Sequence, residues 1–135
     1  DFVNAGHEEP VLFVPGGEIQ RLRSTGPPLG MPLGMHFEAA NVDFAPGALL
    51  CAWSDGLPEA HRPDVEPVSF LGDVEPLQEI IGSALAAGRA TSLDSLSKAV
   101  FERVDDFLDG THPPDDQTLL LLRRRAPQSA SHQAA

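Results

Sequence analysis

The sequence predicts an α+β layered domain, on three observations: strand-like segments fill its first half, two amphipathic helices follow, and one apolar strand returns near the end. Val11-Leu12-Phe13-Val14 is short and apolar, Pro15-Gly16-Gly17 turns the chain, and Glu18-Ile19-Gln20-Arg21-Leu22-Arg23 alternates as a half-buried strand does. Together they read as a hairpin. Residues 26–35 are rich in breakers and form a loop, holding Pro28-Leu29-Gly30-Met31 and its repeat Pro32-Leu33-Gly34-Met35. A strand is expected over 36–44, after which Ala45-Pro46-Gly47 turns into the apolar run Leu49-Leu50-Cys51-Ala52-Trp53.

Residues 60–72, with Pro63, Pro67 and several charges, read as an exposed connection. In the first helix Leu77, Ile80, Ile81, Ala84 and Leu85 share a face, and Gly88 is the natural stop. In the second, Thr91 and Asp94 give a capping signal, and Leu93, Leu96, Val100, Val104 and Phe107 form the stripe. Gly110 and Pro113-Pro114 end it. The last strand is expected over 118–122, and its unbroken run of leucines predicts a central position covered on both faces. Residues 126–135 read as a disordered tail.

Nine basic against twenty acidic residues give a formal charge of −11. Such a surface disfavours nucleic acid and anionic membranes, both polyanions. A phosphorylated substrate would therefore need a local cation, and a bound metal is the obvious one. Cys51 is the single cysteine, so no internal disulfide forms, and its apolar setting reads as core. No apolar run has the length of a membrane span, and the N-terminus carries no signal-peptide pattern. The expectation is a cytoplasmic protein.

Two aspartates stand out. Asp55 follows the apolar run ending at Trp53, within Ser54-Asp55-Gly56-Leu57-Pro58-Glu59-Ala60, and Asp115 opens Asp115-Asp116-Gln117-Thr118 before the leucine run. Carboxylates at two strand ends, joined by folding, suit Mg²⁺ or Mn²⁺, hard cations that prefer oxygen. Asp-Gly is also a favoured hairpin turn, and an acidic pair is commonly a solvated loop. Asn4-Ala5-Gly6-His7 reads as a turn or as a rigid corner near a site. The histidines lack zinc-site spacing, Ser54 lacks the nucleophile-elbow motif, and the glycines near 30 match no nucleotide loop. Arg123-Arg124-Arg125 reads as a solvated strand end.

Asn4-Ala5-Gly6-His7, Pro32-Leu33-Gly34, Pro46-Gly47, Ser54-Asp55-Gly56 with Glu59-Ala60, and Asp115-Asp116-Gln117-Thr118 occur in the order shown by a known family. From residue 1 to about Arg124 the chain resembles the metal-dependent protein phosphatases related to eukaryotic type 2C. The nearest branch is the bacterial one of SpoIIE- and RsbU-like regulators. The resemblance implies a β-sandwich of two sheets flanked by helices, with residues 1–125 as the C-terminal part of the domain. It makes Asp55 and Asp115 metal ligands, with Asp116, Gly56, Asn4 and His7 as candidates for metal-binding or site-adjacent roles. It further implies two Mn²⁺ or Mg²⁺ ions in the intact domain, which activate a water that hydrolyses phosphoserine and phosphothreonine.

The implied partner is a phosphorylated protein, an anti-sigma-factor antagonist in sigma-factor regulation, with dimerisation left open. Relatives carry an earlier Asp-x-x-Gly-His-Gly segment whose aspartate bridges the metals, and nothing here matches it. The chain also opens inside an apparent strand at Asp1-Phe2-Val3-Asn4, so the front of the domain is expected to be missing and the fragment inactive alone. The alternative is a non-catalytic pseudophosphatase or protein-interaction module.

Overall fold

A computed structural model describes residues 1–31, 34, 36–62, 64–65, 70–72, 74–86 and 92–125. The expected tail at 126–135, Gly88, Thr91 and Pro32, Leu33 and Met35 of the second Pro-Leu-Gly-Met repeat lie outside the described residues. The α+β expectation holds. Strands β1 (Val11–Phe13), β2 (Ile19–Arg21) and β3 (Leu49–Trp53) precede helices α1 (Val74–Ala86) and α2 (Leu93–Leu108), and β4 (Leu119–Arg123) closes the order. The strands form one antiparallel sheet in the order β2-β1-β3-β4.

The expected hairpin is present, with Val11 opposite Arg21 and Phe13 opposite Ile19. Gly47 takes φ of +90° at the turn into β3, a conformation that a side chain would strain. β3 then pairs with β1 on one side and with β4 on the other, Leu49 facing Arg123 and Trp53 facing Leu119. Because side chains alternate along a strand, Val11, Phe13, Leu49, Cys51 and Trp53 share one face. The helices cover that face, burying Val74, Leu77, Ile81 and Ala84 from α1 and Leu96, Val100, Val104 and Leu108 from α2. Leu108, rather than Phe107, completes the buried stripe of α2. Ser92 is its N-cap, accepting from the Ser95 amide at 3.0 Å, and Asp109 ends it in a left-handed conformation.

Two strand expectations are corrected. Residues 36–44 form no strand; Ala40 makes one isolated antiparallel bridge with Phe2, and Glu38 donates to the Thr25 carbonyl. Apolar alternation needs a partner edge, and here the neighbouring backbone at Asn4 is already occupied by Thr25 and Ser24. β4 is an edge strand and not a central one. Leu119 and Leu121 pack inward against the helix-covered core, whereas Leu120 and Leu122 are 53% and 50% exposed on the opposite face. Of the two sheets that the sandwich expectation implies, the described residues build this one.

The contrast predicts two very different substitutions. Leu96→Ala removes a fully buried side chain and is expected to cost about 2–5 kcal/mol. Leu120→Ala, half-exposed already, should cost about 1 kcal/mol or less. Urea unfolding of the two variants measures the difference directly; equal losses would contradict the one-sided burial of β4.

Cys51 is buried between β1 and β4, and desolvation pushes its thiol up to about 12, with the nearby Arg123 charge acting weakly in the other direction. The unfolded thiol ionises near 9.0, so the unfolded state sheds a proton above that pH while the folded state keeps it. Stability conferred by the neutral buried thiol is therefore intact below about pH 9 and declines as pH rises towards 12. Wild type should lose stability with pH in this window more steeply than Cys51→Ala, and parallel curves would refute the assignment. Among the described residues no helix is long and apolar enough to cross a membrane.

Candidate functional site

The C-terminal end of β3 and the approach to β4 meet at one end of the sheet, and this junction carries the aspartates. Ser54 and Thr118 form a clasp. The Ser54 amide donates to the Thr118 carbonyl at 3.1 Å, and the Thr118 amide donates to Ser54 Oγ at 2.9 Å. Ser54 Oγ in turn donates to the Asp116 carbonyl at 3.1 Å. Gln117 Nε2 donates to the Gly56 carbonyl at 3.1 Å, tying the two loops a second time. These bonds bring Asp55, Gly56, Asp115 and Asp116 together across about sixty positions of chain.

Gly56 is where the loops approach most closely. A Cβ built there would overlap the Asp116 carbonyl oxygen and come within 3.0 Å of its carbon and 3.4 Å of the Asp115 carbon. Gly56 does not have a positive φ, so close approach rather than backbone conformation requires glycine here. The hairpin alternative for Asp55-Gly56 fails: β3 pairs next with β4, far along the chain, and the loop after Asp55 coils instead. The Leu57 amide donates to the Ser54 carbonyl at 3.1 Å and the Glu59 amide to the Asp55 carbonyl at 2.9 Å. Leu57 and Ala60 are fully buried and anchor this coil to the core, while Asp55 and Glu59 are exposed.

Both key carboxylates are solvent-exposed, and each accepts one local hydrogen bond. Asp55 Oδ1 accepts from the Gly56 amide at 3.0 Å, and Asp115 Oδ1 accepts from the Asp116 amide at 2.7 Å. These bonds orient the carboxylates and leave the Oδ2 atom of each without a hydrogen bond among the described residues. Two anionic oxygens held this way are suitable donors for Mg²⁺ or Mn²⁺. They do not complete a cage, since no group of three or more His, Cys, Asp or Glu side chains suited to a metal occurs among the described residues. The fit is that of two ligands out of a larger set.

The Asn4 side chain is held within its own corner. It is 6% exposed, its Nδ2 donates to the carbonyls of His7 and Leu22, and its Oδ1 accepts from the His7 amide at 2.8 Å. Its side chain is thus fully engaged in pinning the corner Asn4-Ala5-Gly6-His7 against β2's continuation. His7 is exposed at the corner's far end. The next residue, Glu8, faces a hollow of about 380 Å³ shared with Pro58, Glu59, Phe70 and Gly72, so the corner abuts the loop that follows Asp55. Ser54, which lacks the nucleophile-elbow motif, has instead a structural role, and its one signal in the sequence is a hydroxyl residue immediately before the strand-end acid.

A family model described as Stage II sporulation protein E (SpoIIE) matches residues 1–125. The chain belongs to the SpoIIE family. Protein IcfG of Synechocystis sp. is 29% identical to this SpoIIE-family chain over 123 residues, which are 91% of the chain and 18% of IcfG. The SiaA-PP2C domain of Pseudomonas aeruginosa superposes with a TM-score of 0.64 at 21% identity, covering 85% of this chain and 42% of that one. The RsbU and RsbW domains of Rv1364c from Mycobacterium tuberculosis give a TM-score of 0.60 at 25% identity, covering 93% and 32% respectively. The SpoIIE-family chain thus spans less than half the length of each of these proteins. The likeness in structure establishes a type 2C phosphatase-like fold.

Proposed function

We propose that this chain supplies the Asp55–Asp115 part of a metal-dependent serine/threonine protein phosphatase centre, with residues 1–125 forming the C-terminal part of the domain. The observation that supports this reading most is the Ser54–Thr118 clasp, which holds two strand-end aspartates together and exposed. A bound Mn²⁺ or Mg²⁺ pair supplies charge neutralisation and an acidified water for phosphoester hydrolysis. Asp55 and Asp115 would hold the cations through their oxygens, while the Gly56 and Asp116 amides fix the carboxylate orientation and Ser54, Gln117 and Thr118 keep the two loops in register. The substrate, by family resemblance, is a phosphorylated anti-sigma-factor antagonist, and the setting is sigma-factor regulation in the cytoplasm.

A second reading, a non-catalytic pseudophosphatase or interaction module, draws on one observation: the described residues bring no third metal-ligating side chain to the aspartates. One assay separates the two. With para-nitrophenyl phosphate and Mn²⁺, residues 1–135 alone are expected to show no turnover above buffer, because two carboxylates are too few ligands to hold a pair of cations. The full gene product is expected to turn over and to lose that activity on Asp115→Asn. A folded full gene product that remains inactive with Mn²⁺ and with Mg²⁺ would establish the module reading instead.

A further inference from the structure

The outer surface of the helix layer carries a groove of about 610 Å³ between α1 and α2, separate from the candidate site, whose floor is the outer edge of the core. Its floor is apolar and small: Ile80 and Ala84 from α1, Ala99 from α2, and Leu71 at one end. Ile80, Ala99 and Leu71 are only partly buried, so apolar surface stays open along the groove. Its rim is acidic. Glu79 stands on the α1 side and Glu102 and Asp106 on the α2 side, against one cation, Arg103, which is already shared with Asp106 at 3.5 Å.

We propose that this groove docks a basic amphipathic helix of a protein partner. A helix laid between two others presents apolar side chains at three- and four-residue spacing, which matches a floor of small and aliphatic residues. The lining residues Ala99 to Asp106 span about 10 Å of α2 at 1.5 Å per residue, enough for two turns of contact. Ser83 and the two alanines permit close backbone approach. The charge decides the partner's chemistry. Lysines or arginines flanking the apolar stripe would meet three carboxylates, whereas a second copy of this chain, itself at −11, brings like charge, and so does an anionic bilayer. This inference is independent of the phosphatase reading, since the groove contains none of the aspartate-bearing junction.

The test uses a fluorescently labelled amphipathic peptide of roughly fourteen residues, about four helical turns, with leucines and alanines on one face and lysines on the other. A scrambled peptide of the same composition is the comparison, and fluorescence anisotropy reads the affinity. The ordered peptide should bind more tightly than the scrambled one. Ser83→Trp, an exposed position that fills the groove, should weaken binding by about tenfold or more. Glu79→Gln with Glu102→Gln should weaken it by about fivefold. Glu38→Gln with Asp43→Asn removes equal charge outside the groove and should leave affinity unchanged. Thermal melts confirm that each variant folds. Equal binding of ordered and scrambled peptides, or equal loss from the two double variants, would reduce the effect to bulk attraction and overturn the proposal. So would a concentration-dependent dimer in sedimentation that Ser83→Trp dissolves, because the groove would then belong to a second copy.

Discussion

Asp55→Asn in the full gene product is expected to lower Mn²⁺-dependent phosphatase turnover by at least about a hundredfold while leaving the fold intact. The two expectations have separate causes. Asparagine keeps an Oδ1 that can still accept the Gly56 amide bond, now at 3.0 Å, so the loop conformation should survive. What is lost is the negative charge, and a hard divalent cation binds a neutral amide oxygen less strongly than a carboxylate. The chain also carries −11, so removing one exposed acid relieves repulsion instead of adding strain. Melting temperature and turnover should be measured on one sample. Near-normal turnover by a folded variant would remove Asp55 from the metal site, and with it the central functional assignment.

Gly56→Ala should damage the same site by a different route. The added methyl would overlap the Asp116 carbonyl oxygen and crowd the Asp115 carbon, and those contacts are backbone, which cannot rotate away as a side-chain tip can. The loop bearing Asp55 must then separate from the loop bearing Asp115. The expected cost is about 1–3 kcal/mol in stability, typical of forced overpacking, together with loss of most Mn²⁺-dependent activity. The Ser54–Asp116 and Gln117–Gly56 bonds, at 3.1 Å each, should weaken at the same time. Hydrogen exchange at the Thr118 amide would report the opening. Unchanged exchange with unchanged activity would show that the close approach is not needed. The pair of variants is diagnostic: Asp55→Asn should remove activity with stability kept, and Gly56→Ala should lower both.

Elements whose signal is local were legible in the sequence. The hairpin of β1 and β2 follows from an alternating pattern around Pro15-Gly16-Gly17, and α1 and α2 follow from apolar residues at helical spacing. Their limits shifted slightly: α2 is capped by Ser92, and its buried stripe ends on Leu108. The run Leu119-Leu120-Leu121-Leu122 misled, because four leucines carry no periodicity and cannot say whether one face or two are covered. Segment 36–44 misled for a related reason. Its composition suits a strand, yet a strand exists only where another edge offers its backbone, and that is a property of the assembled chain.

The candidate site divides along the same line. Residue types in sequence determined that hard oxygen donors stand at two strand ends, and the ordered motifs determined the family, which the match over residues 1–125 supports independently. Only the tertiary structure decided that β3 and β4 are neighbours in register, so that Ser54 and Thr118 clasp and Asp55 and Asp115 belong to one junction. It likewise decided that Asn4 spends its amide on backbone partners. The physical reason is that donor chemistry resides in a single side chain, whereas juxtaposition depends on hydrogen bonds between residues more than sixty positions apart, which no local pattern encodes.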